Sequence, residues 1–87
     1  MTRPVYTLLS YFQANAYQAV SLDWLVRKSG KSRRTVLGYL REANRRCPRG
    51  WRLRREYTFE NGIRWTWYRY CRTAESFRRQ QRLEGVA

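Results

Sequence analysis

The sequence predicts a small α+β domain in which three helices are followed by a two-stranded β hairpin. Apolar residues recur at helical spacing through the first half of the 87-residue chain, and glycine and proline signals divide this half into segments. After Gly50 the pattern changes to alternation, and Asn61-Gly62 within it is typical of a tight hairpin turn. A chain of this length forms one domain whose core is too small for a deep catalytic cleft beside its scaffold.

The first helix is predicted to run from about Pro4 to about Asn15. Thr2 is a candidate N-cap, and the missing N–H of Pro4 costs little in a first helical turn. The apolar stripe of this helix consists of Val5, Leu8, Leu9, Phe12 and Ala16. We therefore expect the first helix to have a structural role.

The second helix is predicted to be short, beginning after Ser21 and ending near Ser29. Ser21 is a favourable cap, and Asp23 lies in the first turn, where the helix dipole favours a negative charge. Gly30 suits the left-handed conformation that often follows a helix C terminus. A short helix, a glycine turn and a longer basic helix make up a helix-turn-helix arrangement.

The third helix is predicted to run from Arg33 to about Arg46, with Ser32 as its cap and Pro48 as its stop. Its inward stripe is predicted to be Val36, Leu40, Ala43 and Cys47. The opposite side carries Arg33, Arg34, Leu37, Gly38, Arg41, Asn44 and Arg45. Such a helix can pack by one stripe and present guanidinium groups on the other.

Two further residues of the third helix, Gly38 and Glu42, bear on how its exposed side is used. Gly38 costs about 1 kcal/mol of helix stability relative to alanine, a cost that the close approach of a partner would explain. Glu42 is expected to pair with Arg45 or Arg46 rather than to accept a hydrogen bond from a cytosine amino group.

The hairpin is predicted to return along Ile63 to Cys71. If Asn61 and Gly62 alone form the turn, Leu53 faces Tyr70 and Glu56 faces Trp67. One face then carries Leu53, Tyr57, Tyr68 and Tyr70, and the other carries Arg54, Trp65, Trp67 and Arg69. A change of one residue in the loop would exchange these faces, so the sequence leaves open which of them is the core face.

The charge of the chain indicates a polyanionic partner. Seventeen arginines and two lysines against six acids give a formal net charge of +13. Guanidinium groups can hydrogen-bond phosphates or guanine edges and can stack on rings, of which the chain has 14, counting Trp, Tyr and Phe. A basic disordered tail would lack these rings and the aliphatic spacing, so we expect a folded domain that binds nucleic acid.

The layout from Pro4 to Cys71 resembles the winged helix-turn-helix superfamily of DNA-binding proteins. The run from Ser21 to Leu40 is similar to the family pattern of a cap, an apolar pair, a glycine turn, a serine and a threonine-valine pair followed by leucine. The resemblance implies a winged-helix domain over residues 1–71, with residues 72–87 as a basic C-terminal helix or tail. It also implies that Gln18-Ala19-Val20 is the short first strand of the family.

The resemblance further implies that the third helix enters the major groove and that the hairpin, the wing, lies along the adjacent backbone or minor groove. Together with the charge pattern it predicts DNA contacts from Lys31, Ser32, Arg33, Arg34, Thr35, Leu37, Gly38, Arg41, Arg45, Arg64 and Trp65. The tip departs from a basic wing, because it carries Glu60 and only Arg64 nearby. Trp65 and the strand arginines are therefore expected to contribute more.

The sequence thus predicts a small double-stranded DNA-binding protein, a transcriptional regulator or a recombination or replication accessory factor of the kind found in phages and mobile elements. We expect a monomer in free solution, with a dimer on DNA left open. Two alternatives remain: RNA or single-strand binding through Trp65, Trp67 and Tyr68, and a protein-interaction module acting on host transcription or replication proteins.

Enzymatic and metal chemistry is not expected. The chain has no histidine, its six acids are scattered singly, and no catalytic residue, metal site or cofactor is indicated. Cys47 and Cys71 lack metal-ligand spacing and are predicted to be buried, reduced thiols. With no apolar run of membrane-spanning length and no signal-peptide pattern, the expected location is the cytoplasm, in association with the nucleoid.

Overall fold

The computed structural model describes residues 2–74. Its elements, in chain order, are α1 (Arg3–Ala14), β1 (Ala19–Ser21), α2 (Leu22–Ser29), α3 (Arg33–Arg45), β2 (Trp51–Glu60) and β3 (Ile63–Arg72). The predicted α+β layout of three helices followed by an antiparallel hairpin is confirmed. Of the C-terminal helix or tail predicted for residues 72–87, all but residues 72–74 lies outside the described residues.

Local signals set the helix boundaries, which agree with the predicted ones to within one or two residues. The Ser21 hydroxyl accepts the backbone N–H of Trp24 at 3.0 Å, and the Ser32 hydroxyl accepts that of Thr35 at 3.2 Å. Each satisfies one of the free N–H groups of a first helical turn. Gly30 follows α2 with φ of 69°, the left-handed conformation expected there.

The prediction for Thr2 is only half right. Thr2 does occupy the N-cap position of α1, but its side chain makes no capping hydrogen bond. Pro4 lies at the second helical position, where it has no N–H to offer to the cap. The proline that favours the start of this helix therefore also removes one of the donors that a threonine cap uses.

The three strands form one antiparallel sheet in the order β1-β3-β2. Leu53 faces Tyr70 and Glu56 faces Trp67, which confirms the predicted register. Asn61 and Gly62 have φ of 51° and 76°, the positive values that a tight two-residue hairpin turn requires. The short first strand is also confirmed, shifted by one residue from its predicted position, and it pairs with β3.

The core lies between the helices and one face of the sheet. Its buried apolar residues are Val5, Leu9, Phe12, Val20, Leu22, Leu25, Val36, Leu40, Ala43, Leu53, Tyr68 and Tyr70. Leu8, Ala16 and Cys47 from the predicted stripes are only partly buried at its edge. The structure thus decides between the two hairpin faces, since Leu53, Tyr68 and Tyr70 face the helices.

Both cysteines are free thiols, Cys71 buried and Cys47 half-buried. The Sγ of Cys47 donates to the carbonyl oxygen of Ala43 at 3.4 Å. Burial raises the pKa of the Cys47 thiol, which keeps it protonated and unreactive. Within residues 2–74, no helix has the length and apolar character needed to cross a membrane.

Candidate nucleic-acid interface

Helix α3 packs by one stripe and exposes a basic one. Val36, Leu40 and Ala43 are buried against the domain. The residues exposed on the other side include Arg33, Arg34, Gly38, Arg41 and Arg45. Helical spacing alone separates these two sets, so the basic stripe follows directly from the sequence.

A groove runs between α3 and the hairpin, and we call it the α3–hairpin groove. It has a volume of about 310 Å³ and is lined by Leu37, Leu40, Arg41, Asn44, Leu53, Arg55 and Tyr68. Arg41 lines it from α3 and Arg55 from β2, and both side chains are exposed. A ligand in this groove would therefore meet a guanidinium group on each wall.

A hydrogen bond between the two walls holds the groove in shape. Asn44 Oδ1 on α3 accepts the backbone N–H of Leu53 on β2 at 2.9 Å. The Leu53 side chain is itself buried in the core beside Leu40. The groove is thus held in shape by a specific contact, and its apolar floor is part of the hydrophobic core.

Beyond the groove, the face of the hairpin that carries Leu53 continues toward the tip, and we call it the inner face. By the strand register its members are Leu53, Arg55, Tyr57, Phe59, Arg64, Thr66, Tyr68 and Tyr70. The guanidinium carbons of Arg55 and Arg64 lie 5.6 and 4.7 Å from the centre of the Tyr57 ring. These cation–π contacts orient both arginines on one exposed aromatic surface that extends to Phe59.

The opposite, outer face of the hairpin is chemically different. By alternation it carries Arg52, Arg54, Glu56, Thr58, Glu60, Trp65, Trp67 and Arg69. The Glu56 carboxylate accepts from Arg69 at 2.9 Å and lies 4.0 Å from Arg54. The indole N–H of Trp67 donates to the Thr58 hydroxyl at 2.8 Å. Several charged and hydrogen-bonding side chains of this face therefore have their partners within the hairpin.

Ion pairing divides the arginines of residues 2–74 into two groups. On α3, Glu42 pairs with both Arg45 and Arg46, which confirms the predicted pairing of this glutamate. Hydrogen bonding from Arg46, assisted by the charge of Arg45, lowers the pKa of Glu42. No described acid forms an ion pair with Arg33, Arg34 and Arg41 of α3 or with Arg55 and Arg64 of the inner face. These five arginines therefore keep their full charge for a ligand on that side of the molecule.

The structure brings together only part of the predicted contact set. Arg33, Arg34, Leu37, Gly38 and Arg41 lie along one side of α3, next to the inner face that carries Arg64. The remaining predicted residues lie away from this surface or are engaged in contacts within the domain.

The hydroxyl groups of Ser32 and Thr35 hydrogen-bond to each other at 3.0 Å within the α3 cap. Lys31 lies toward α1 and α2, on the flank of α3 away from the hairpin. Arg45 is paired with Glu42. Trp65 lies on the outer face, across the hairpin from Arg55 and Arg64.

The sequence reasoning missed Arg55 and Tyr57 as site residues. Both belong to the inner face, and the predicted register already placed Arg55 opposite Tyr68 and Tyr57 opposite Thr66. The available signal was Arg55 itself, an arginine in the alternating position between Leu53 and Tyr57, which places a charge beside a ring on this face. The Tyr57 ring is 43% exposed and carries the cation–π contacts of Arg55 and Arg64.

Comparison of the chain with protein-family models, with curated proteins and with solved structures gives no match.

Proposed function

We propose that this protein is a winged-helix protein that binds double-stranded DNA, with α3 in the major groove and the β2–β3 hairpin as the wing. The order of elements supports this, because three helices with a short strand between the first two precede the hairpin. One observation carries the proposal. Arg41 and Arg55 line one groove between helix and hairpin, and neither of them forms an ion pair with a described acid.

The major groove of B-DNA is wide enough to admit an α-helix, and its base edges accept hydrogen bonds from arginine. A helix docked by its exposed stripe would place Arg33, Arg34 and Arg41 at bases or phosphates. Arg55 and Arg64 on the inner face would then reach the adjacent backbone or minor groove. With Lys31, six cations are available on the side that faces the duplex or at its edge.

The proposed biological role is that of a small transcriptional regulator or a recombination or replication accessory factor of a phage or mobile element. This part of the proposal rests on the resemblance of the layout to such proteins, because a fold by itself does not define a role. Selection of binding sites from random duplex, followed by footprinting, tests it. An enriched motif supports a sequence-reading regulator, and the length and symmetry of the motif distinguish a monomer from a dimer on DNA.

The binding mode is tested by fluorescence anisotropy with the selected duplex at several salt concentrations. If about six phosphates are neutralised, log K falls with log salt at a slope near −5. Arg41→Ala and Arg55→Ala should each weaken binding and reduce the steepness of this slope by about 1. Arg52→Ala is the matched control, since Arg52 is an exposed arginine of the same strand on the outer face. Equal losses in all three variants would contradict the proposed docking face.

RNA or single-strand binding through the hairpin aromatics has less support. Tyr68 is buried in the core with 7% of its surface exposed, so it cannot stack on a base. Trp65 and Trp67 lie on the outer face, where Glu56 pairs with Arg69 and Glu60 offsets part of the remaining positive charge, so less of that charge is left for phosphates than on the inner face. Tighter binding to single-stranded RNA than to duplex, lost in Trp65→Ala and Trp67→Ala, would establish this alternative. A nearly flat salt dependence would instead favour a protein-interaction module.

A further inference from the structure

A second and larger groove lies on the flank of α3 that faces away from the hairpin. It is formed by α1, α2 and the beginning of α3, and its volume is about 510 Å³. We call it the α1–α2 groove. Val36 and Tyr39 line it from α3, whereas Leu37 and Arg41 line the α3–hairpin groove. The two grooves therefore lie on opposite flanks of one helix and share no lining residue.

The floor of the α1–α2 groove is aromatic and aliphatic. Tyr11 of α1 stacks on Trp24 of α2, with ring centres 5.5 Å apart and ring planes 28° from parallel. Leu8 and Tyr39 extend this surface and are only partly buried. The floor of the groove is therefore a continuous apolar surface that the rest of the described domain covers only in part.

The rim of the groove is positively charged. Among the described residues, Arg3, Lys28 and Lys31 line it and no acidic side chain does. Within residues 2–74 none of these three cations forms an ion pair, since the nearest acid of α2, Asp23, pairs with Arg27 at 3.7 Å. A partner that fills the groove should therefore carry negative charges around its apolar residues.

The walls indicate the backbone conformation of that partner. The walls that residues 2–74 contribute are all helices, so this part of the chain offers no strand edge in the groove with which an extended peptide could pair. A bound segment must therefore satisfy its own backbone hydrogen bonds, as a helix does. The α1 wall runs from Arg3 to Tyr11, about 12 Å at the helical rise, which matches two to three turns of a bound helix.

We propose that the α1–α2 groove binds an acidic amphipathic helix of another protein. Large apolar side chains at positions i, i+3 or i+4, and i+7 rest on the Tyr11–Trp24 floor, and flanking carboxylates meet the cationic rim. A second copy of this chain fits poorly because two chains of net charge +13 repel each other.

The test uses the full chain and a labelled synthetic peptide of about 14 residues, with Leu and Phe at i, i+3, i+4 and i+7 and Glu at the other positions. A scrambled peptide of the same composition, with the apolar residues spread around the helix, is the control. Anisotropy should show saturable binding of the first peptide and at least about tenfold weaker binding of the second. Equal binding of the two peptides would show that overall charge alone drives the interaction, and it would overturn the proposal.

Two pairs of variants locate the site. Tyr11→Ala should weaken peptide binding, whereas Tyr6→Ala, which removes a 61% exposed tyrosine of the same helix outside the groove, should not. Arg3→Glu with Lys28→Glu should weaken it by about tenfold or more. Arg49→Glu with Arg52→Glu changes the net charge equally at exposed positions outside the groove and should leave binding within about twofold.

Circular dichroism and thermal unfolding of each variant establish that the fold is retained, and any variant that fails is replaced by Leu8→Gln with Ser10→Gln as its control. Equal effects within a pair of variants would overturn the proposal. Displacement of the peptide by duplex DNA would also overturn it and would assign the groove to nucleic acid. A dimer that Tyr11→Ala dissociates would assign the groove to a second copy of the chain. Peptide binding that appears only after residues 75–87 are removed would assign it to the chain's own C-terminal segment.

Discussion

The side-chain oxygen of Asn44 accepts the backbone N–H of Leu53 at 2.9 Å, joining α3 to the first strand of the hairpin. Strand β2 is an edge strand, because the sheet order is β1-β3-β2. Every second N–H of an edge strand faces away from the sheet and needs another partner. Asn44 supplies that partner and thereby fixes the distance between strand β2, which carries Arg55, and helix α3, which carries Arg41.

Asn44→Ala should destabilise the domain by about 1–2 kcal/mol, because it leaves a partly buried N–H without an acceptor. Asn44→Asp keeps an acceptor oxygen at the same position and should retain most of the stability. Urea unfolding of the two variants measures the difference. A loss in Asn44→Asp as large as that in Asn44→Ala would show that the hydrogen bond is not the origin of the effect.

Gly38→Ala should stabilise the domain by about 1 kcal/mol, since alanine is the better helix former and its methyl group meets nothing within 4 Å. On the proposed function, Gly38→Leu should also fold but should weaken duplex binding, because its side chain stands between α3 and the DNA. Thermal unfolding and anisotropy measure the two effects separately. Ser10→Leu, at an exposed position of α1, is the control. Unchanged DNA affinity in Gly38→Leu would place this part of α3 outside the interface.

Tyr57→Ala should lower duplex affinity by roughly three- to tenfold, because the ring that orients Arg55 and Arg64 is lost. Stability should change by no more than about 0.5 kcal/mol, since the ring is exposed. Tyr57→Phe keeps the ring and should bind almost as well as the unmodified protein. Anisotropy at fixed salt measures all three proteins. If Tyr57→Phe loses as much affinity as Tyr57→Ala, the phenol hydroxyl rather than the cation–π surface is responsible.

Glu42 should make the stability of α3 sensitive to mild acid. Hydrogen bonding from Arg46, with the charge of Arg45, lowers the pKa of Glu42 from its ordinary value of 4.5. A carboxylate whose pKa is lower in the folded state contributes stability above pH 4.5, and this stability is lost as pH falls through 4.5 toward the lower folded value. The melting temperature of Glu42→Gln should therefore lie below that of the unmodified protein at neutral pH.

The gap between these two melting temperatures should close as the pH falls below 4.5, because the protonated Glu42 no longer differs in charge from glutamine. Melting curves between pH 7 and about pH 3 check this. Glu60→Gln is the control, since Glu60 makes no ion pair with any residue of the described part of the chain. A gap of constant size across this range would mean that the charge of Glu42 is not what stabilises the helix.

Much of the fold was predictable because its signals are local. Ser21, Ser32 and Gly30 mark helix ends through hydrogen bonds and dihedral angles that involve only nearby residues. Asn61-Gly62 determines the turn, and the turn length determines the register that places Leu53 opposite Tyr70. The spacing of Val36, Leu40 and Ala43 likewise places the basic stripe of α3 toward solvent.

The candidate site was only partly predictable because it depends on contacts between elements distant in sequence. Alternation divides the hairpin into two faces, both rich in rings, and says nothing about which of them packs on the helices. Burial of Leu53 and Tyr70 against the helices makes that choice, so that Arg55 lines the groove beside α3, Tyr57 shares its face, and Trp65 lies on the other side.

The sequence by itself determined the helices, the turn, the strand register and the large positive charge, because each depends on composition or on residues close together in the chain. Ion pairs within one helix, such as Glu42 with Arg46, were also predictable, but only the tertiary structure decided which arginines of the hairpin remain without an acidic partner. Glu56 pairs with Arg69, 13 residues away, while Arg41 and Arg55 meet in one groove with no described acid paired to either. Coulomb interactions depend on distance in space rather than in sequence, so the location of the unneutralised charge emerged only from the fold.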